Sequence, residues 1–417
     1  MLLKHKVIDY RWSKIKIKYK LQLCTTFLQY MYLFIAYRLM PSKKTPQTKT
    51  SKTTPHRWTK LGTPEIAFFE KLVNMPSPTW FEWTGQQVWV DYIKPYVDEV
   101  MVDTYGTAVA TINPGKAYKV VIEAHCDEIS WFVNYIADDG IITVIRNWGS
   151  DHQIAPAKRV LIHGKKWPVT GVFGRPAIHT RDLGKEESPK VESLFIDIGA
   201  LSKKEVESMG VVVGSVVTYP DPFMMLNNRY LVGRALDNRA GGFMIAQVAR
   251  LLKLNKKNLD FTLHIVNSVQ EEIGLRGAEM IAHRLNPDVA IITDVCHDTS
   301  TPMIDKRKHA DTKCGLWPVL SVGPSVQNNL RDFVESVATK HKIPFQRLAA
   351  SRWTGTDTDA FAYSQNGIAS ALISLPLRYM HTTVEMVQQH DVEKTIDLMY
   401  AVITSLKAGQ SFSYLKV

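Results

Sequence analysis

The sequence predicts an α/β fold: a mixed sheet flanked by helices, interrupted by a β-rich, barrel-like insertion. Two observations carry this. Lys119–Ala124, Phe261–Val269, Val289–Thr293 and Ala369–Ser374 read as apolar strands of the kind that suits a buried sheet with helices on both faces. Between about Ile129 and Leu226, turn residues recur at close intervals, which suits a small barrel or sandwich.

In chain order, Pro64–Asn74 reads as a helix, with Thr63 as N-cap, Pro64 at its first position, and Ile66, Phe69, Leu72 and Val73 on one face. A second helix is expected over Gln86–Val97, then strands at Val100–Asp103, Ala108–Ile112 and Lys119–Ala124. In the insertion, Trp131–Ile136 and Ile141–Arg146 flank Ala-Asp-Asp-Gly140, a hairpin signal. Short strands at Val160–His163, Pro168–Phe173, Leu194–Asp197 and Val211–Tyr219 follow, with one helix near Ser202–Met209. Helix–strand alternation then returns: Gly241–Leu254, Ala278–Arg284, Asn328–His341 and Val392–Leu406 as helices around the remaining apolar strands. The expected domains are a catalytic α/β domain over 61–128 and 227–417, an inserted β-rich domain over 129–226, and a basic extension over 1–60.

That extension dominates the charge. The chain has a formal net charge of +11, but residues 1–60 alone carry +13 and the remaining 357 residues carry −2. The folded body is nearly neutral, so its charge argues against a nucleic-acid partner. Residues 21–37 are uncharged but barely reach the span of a bilayer and include two Gln and two Thr. The segment is expected to be non-native, with Met40 as the true start, or disordered, residues 41–60 forming a linker; a membrane tether through 21–37 is the alternative. Cys24, Cys126, Cys296 and Cys314 are scattered, without a C-x-x-C pair, which suggests a reduced, cytoplasmic setting.

Five segments place acids or histidines at element ends: His125-Cys126-Asp127-Glu128; Asp237-Asn238-Arg239; Gln270-Glu271-Glu272; Asp294; and Arg378 to Glu385, which contains His381. Adjacent Glu271 and Glu272 at a buried strand end would raise each other's pKa unless cations neutralised them. In open α/β sheets such residues converge at the carboxyl ends of the strands. Two histidines and several carboxylates form a nitrogen and oxygen donor set suited to Zn2+, Co2+ or Mn2+ and poorly suited to calcium. Taken singly, Asp237-Asn238 also reads as an N-cap, and His125 or His381 as a capped strand end.

These five segments, in this order, resemble the di-metal aminopeptidases that assemble as hollow tetrahedral particles. Members are variously named glutamyl or leucyl aminopeptidases and sometimes, misleadingly, endoglucanases. The resemblance runs from about Thr63 to Ser405. It implies a phosphorylase/hydrolase-like metallo-exopeptidase domain with a dimerising insertion, and twelve-subunit homo-oligomers acting on short peptides. It implies that Asp237 bridges two divalent ions, zinc or cobalt before manganese, one completed by Glu272 and His381 and the other by His125 and Asp294. Glu271 would be the general base on a water or hydroxide between the metals, and Asp127 would hold the His125 ring. The charge balance agrees: three ligand carboxylates against two divalent ions leave one positive charge, which a single hydroxide cancels. A di-metal deacylase or amidohydrolase acting on small N-acyl compounds is the alternative expectation.

The family usually has glycine where this chain has Ser130-Trp131, which is expected to alter access or specificity. Cys126 and Cys296 read as small buried hydrophobes, and His264 and His341 as structural. His297 is not required by the family pattern. Thr356-Asp357 resembles the family's G-T-D-A loop lining the substrate site, or an N-cap before Ala360–Gln365.

Overall fold

The computed structural model describes residues 58–415, apart from 182–183 and 185–186. The segment 21–37, Met40, Cys24 and the linker up to residue 57 lie outside the described residues.

Seventeen strands are described: β1 (Glu99–Val102), β2 (Ala108–Ile112), β3 (Lys119–His125), β4 (Ser130–Ile136), β5 (Ile142–Asn147), β6 (Arg159–His163), β7 (Pro168–Phe173), β8 (Phe195–Asp197), β9 (Val216–Thr218), β10 (Met224–Leu226), β11 (Tyr230–Gly233), β12 (Thr262–Ser268), β13 (Val289–His297), β14 (Val319–Val322), β15 (Gln346–Ala349), β16 (Ala369–Leu377) and β17 (Glu385–Gln388). An eight-stranded sheet has the order β1-β2-β12-β3-β13-β16-β14-β15. Its centre is parallel, with β12 and β13 on either side of β3 and β16 beside β13. β1, β2 and the β14–β16 pairing are antiparallel, so the sheet is mixed as expected.

The helices are α1 (Thr63–Asn74), α2 (Trp83–Ile93), α3 (Lys203–Ser208), α4 (Leu236–Leu254), α5 (Arg276–Leu285), α6 (Lys306–His309), α7 (Asn328–Lys340), α8 (Thr358–Ala362) and α9 (Gln389–Ser405). The cap of α1 falls one residue earlier than expected, at Gly62, whose N–H donates to Glu65 Oε2 at 2.9 Å. α4 is apolar nearly all round because it is covered all round, by the sheet and by α1, α2 and α9. Trp89 from α2 is fully buried on it and donates its indole N–H to Gly242 O at 2.8 Å. Burying a side chain such as Phe243 or Leu72 contributes about 1.5–3 kcal/mol each, so this packing anchors the start of α4.

β4, β5, β8, β7, β6 and β9 close into a barrel around Trp131, Phe173, Ile162, Ile196 and Val217. The Ala-Asp-Asp-Gly140 hairpin forms, with Gly140 at φ +88°. Trp131 faces the barrel core and donates to the Tyr219 hydroxyl at 3.1 Å. β14, β15 and the small β10-β11-β17 sheet were not expected; each has strands of only three or four residues. No helix among the described residues is long and apolar enough to cross a membrane.

Candidate metal centre

The parallel register builds the site. His125 ends β3, and Ser268, the last residue of β12, lies opposite it. On the other side Ile292 pairs with Glu123, so continuing that register by two residues sets Asp294 level with His125. Asp294 does not close β13, contrary to expectation: the strand runs on to His297 because β16 continues beside it. The Glu271-Glu272 doublet follows β12 after Gln270, which lies at φ +59°. His381 lies in the turn between β16 and β17 at φ +61°.

Asp237 sits between the two imidazoles. Its Oδ1 is 3.1 Å from His125 Nε2 and its Oδ2 is 3.3 Å from His381 Nε2. The expected N-cap role falls instead on Asn238, whose Oδ1 accepts from Gly241 N at 3.0 Å. Asp237 and Asn238 are not helical, and the Asp237–Asn238 peptide is cis. A Cβ on Gly241 would stand 2.2 Å from Asn238 Oδ1, so that close approach requires glycine.

The five residues and the doublet partner converge as two groups. His125, Glu271 and Asp294 each offer an atom within 4.8 Å of the others, and so do Asp237, Glu272 and His381. Glu271 Oε2 and Asp294 Oδ1 lie 3.8 and 3.7 Å from His125 Nε2, and Glu272 Oε2 lies 3.6 Å from His381 Nε2. Glu272 Oε1 is buried with no hydrogen-bond partner.

Asp127 is wholly buried and does more than face the His125 ring. It accepts from the backbone N–H of Glu271 at 2.9 Å, that of Glu272 at 3.2 Å, and Thr79 Oγ1 at 2.7 Å. Its Oδ1 is 3.4 Å from His125 Nδ1, long for a hydrogen bond. Glu385 acts similarly on the other side, accepting from Asp237 N at 3.1 Å and His381 N at 2.7 Å. Gly149, between β5 and β6, places its carbonyl 3.2 Å from His381 Nδ1.

The electrostatics show a site rich in negative charge. Burial, followed by Asp237, pushes the Glu272 carboxyl well above its ordinary range. Burial also raises Glu271, with Asp294 and Asp357 adding to it and His125 opposing. Asp294 is pushed up to about 8 by burial, despite His125. Asp237 goes the other way: burial opposes its charge, but hydrogen bonds from both histidines hold it below the usual carboxylate range. For His125, burial disfavours the imidazolium, and Glu271, Asp127, Asp237 and Asp294 together outweigh that. Protons here offset a shortage of cations.

Other expectations sort clearly. Arg239 is fully buried and bonds Glu128, Cys126 O, Leu72 O and Met75 O, a structural role. Cys126, Cys296 and Cys314 are buried and free. His264 pairs with Thr111 Oγ1 inside the sheet, away from the site, and His341 packs against Trp58. His297, Thr354, Gly355 and Thr356 line the cavity beside the two groups, whereas Asp357 turns away to Ser268 Oγ at 2.8 Å. Gly149, Glu385 and Thr79 carry no distinct signal in the sequence beyond Glu385's place at the end of the fifth segment.

The M42 glutamyl aminopeptidase family model matches residues 106–398, more than half of the chain. The chain belongs to this family. The lysyl aminopeptidase of Pyrococcus furiosus is 33% identical over 341 residues, covering 81% of this chain and 96% of that protein. The glutamyl aminopeptidase of Lactococcus lactis is 27% identical, covering 76% and 90%. Among solved structures, a TET aminopeptidase from a marine sediment archaeon of the Thaumarchaeota superposes with a TM-score of 0.79 at 29% identity, covering 83% of this chain and 98% of that one. A TET peptidase of Pyrococcus horikoshii, which can assemble into a tetrahedron or a large octahedral shell, gives 0.73 at 26% identity, covering 82% and 100%. This M42 protein is therefore an aminopeptidase, with His and carboxylate groups that could hold metal.

Proposed function

We propose that this M42 aminopeptidase is a di-metal enzyme that removes N-terminal residues from short peptides, with Glu271 as general base. The observation that carries it is Asp237, whose two carboxylate oxygens face two different imidazoles at 3.1 and 3.3 Å. The donors fit divalent ions: among the described residues the ion-pair partners of Asp237, Glu271, Glu272 and Asp294 are the rings of His125 and His381, and Glu272 Oε1 is orphaned. Asp237, Glu272 and His381 would hold one ion, and Asp237, His125 and Asp294 the other. Zinc or cobalt, then manganese, suits this set. When bound, such ions polarise a peptide carbonyl and bring the pKa of water to about 7.

The chain's own residues do the rest. Glu271, outside that ligand set, takes the proton of the attacking water and hands it to the leaving amine. Asp127 fixes the doublet by accepting both of its backbone N–H groups. Glu385 fixes Asp237 and His381 in the same way. Residues 61–128 with 227–417 form the catalytic domain on this reading, and 129–226 the dimerising insertion. The barrel's exposed Trp167 and Leu201, and the dodecamer and tetrahedron of Pyrococcus horikoshii TET1 peptidase structures, support dimers building a dodecamer. The free buried cysteines support a cytoplasmic setting.

The test is to chelate the protein, restore Zn2+, Co2+ or Mn2+, and measure bound metal, hydrolysis of aminoacyl p-nitroanilides, and mass by light scattering. Two ions per chain and cleavage of free-amine substrates are expected. Cleavage of N-acetylated substrates alone would mark a deacylase instead.

A further inference from the structure

We infer that the enzyme selects neutral, apolar N-terminal residues over lysine, arginine and glutamate, with Leu348 and Trp353 as specificity-determining residues. The inference rests on the aminopeptidase reading, because it concerns the side chain entering the cavity beside the donor groups. That cavity has a volume of about 830 Å³, ample for a phenylalanine or leucine side chain. Its wall beyond the donor groups is largely apolar: Ile273, Leu275, Val295, Leu348, Trp353 and Met380. Trp353 is 65% exposed and Trp148, also on the wall, 71%, so both retain surface for an entering side chain to cover.

A lysine or arginine side chain would find no carboxylate there to pair with. Among the described residues Asp359 is the one wall carboxylate outside the donor groups, and it is only 5% exposed. Both its oxygens are taken: Oδ1 accepts from Ser325 Oγ and Thr354 N, and Oδ2 from Thr354 N and Gly355 N. A glutamate side chain fares no better, since among the described residues neither lysine nor arginine lines the cavity and the cationic candidates are the imidazoles of His297 and His309. An ionic side chain would lose hydration without a charge-assisted partner, whereas leucine, methionine or phenylalanine would bury apolar surface against apolar surface.

The experiment compares kcat/KM of the zinc-loaded full chain on Leu, Met, Phe, Ala, Lys, Arg and Glu p-nitroanilides. The apolar residues should lead the charged ones by about tenfold or more. Leu348 lies half-buried on the edge strand β15, outside the donor groups. Leu348→Glu should shift the Lys:Leu ratio toward lysine by about tenfold, mainly through KM, with bound zinc unchanged. Trp353→Ala should lower kcat/KM on Leu and Phe about tenfold relative to Ala. Wild-type preference for Lys, Arg or Glu, or a Leu348→Glu protein that binds zinc and keeps the wild-type ratio, would overturn the inference while leaving the aminopeptidase reading intact. No cleavage of any substrate by protein holding two ions would overturn both.

Discussion

Gly149→Ala places a methyl group where the His381 ring already is. A Cβ at this position would stand 2.5 Å from both Nδ1 and Cε1 of His381, and 3.3 Å from Ile129 Cγ2. Ordinary van der Waals contact begins near 3.4 Å, so ring or backbone must move by roughly an ångström, beyond the about 0.5 Å that a preorganised site tolerates. His381 is 31% exposed, which leaves the ring room to turn outward. Turning also breaks the 3.2 Å contact from Nδ1 to Gly149 O, the partner that keeps the proton on Nδ1 and the lone pair on Nε2. Losing such an outer partner typically weakens a metal site by about 10–100-fold, or roughly 1.4–2.7 kcal/mol. Calorimetric titration with Zn2+ should therefore show one of two sites weakened by that factor, the His125 side retaining its affinity. His381→Ala provides the reference for complete loss. A folded Gly149→Ala protein, by circular dichroism, that binds both ions with wild-type affinity would refute the reasoning.

Three further outcomes are expected. Glu271→Gln should retain two ions and lose about 10²–10⁴-fold in kcat, measured at saturating substrate; undiminished turnover removes Glu271 as the base. Glu82, buried and close to Asp127, has its carboxyl pushed up to about 8, first by burial and then by Asp127. The folded state thus binds a proton that the unfolded state releases near pH 4.5, and this contribution to stability is lost as pH rises from about 4.5 to 8. In the metal-free protein, Glu82→Gln should flatten the fall in Tm across that window, and an unchanged slope would contradict the assignment. Arg239→Met should destabilise by about 3–5 kcal/mol in urea melts, because it strips a partner from buried Glu128 and leaves three backbone carbonyls without their donor; Glu128 also pairs with the Arg234 guanidinium, and a change below about 1 kcal/mol would show that Arg234 alone satisfies it.

The sequence by itself determined the elements whose signal is local. Apolar runs marked β3, β13 and β16, because strands covered on both faces have no polar side to alternate with, and the apolar residues of Phe261–Val269 marked β12. The six residues that the fold gathers into two groups all lie in the five segments picked out by their acids and histidines. Short strands such as β14 and β15 escaped, as four residues carry too little periodicity to separate strand from loop. Only the tertiary structure decided how the donors divide. Adjacency in sequence says that Glu271 and Glu272 are neighbours, but the turn after β12 sends one toward His125 and the other toward His381. It likewise decided that Asn238 caps the helix while Asp237 stands free between two imidazoles. The carbonyl of Gly149 reaches His381 from 232 residues away, a contact set by where the barrel docks and not by anything near either residue in the chain.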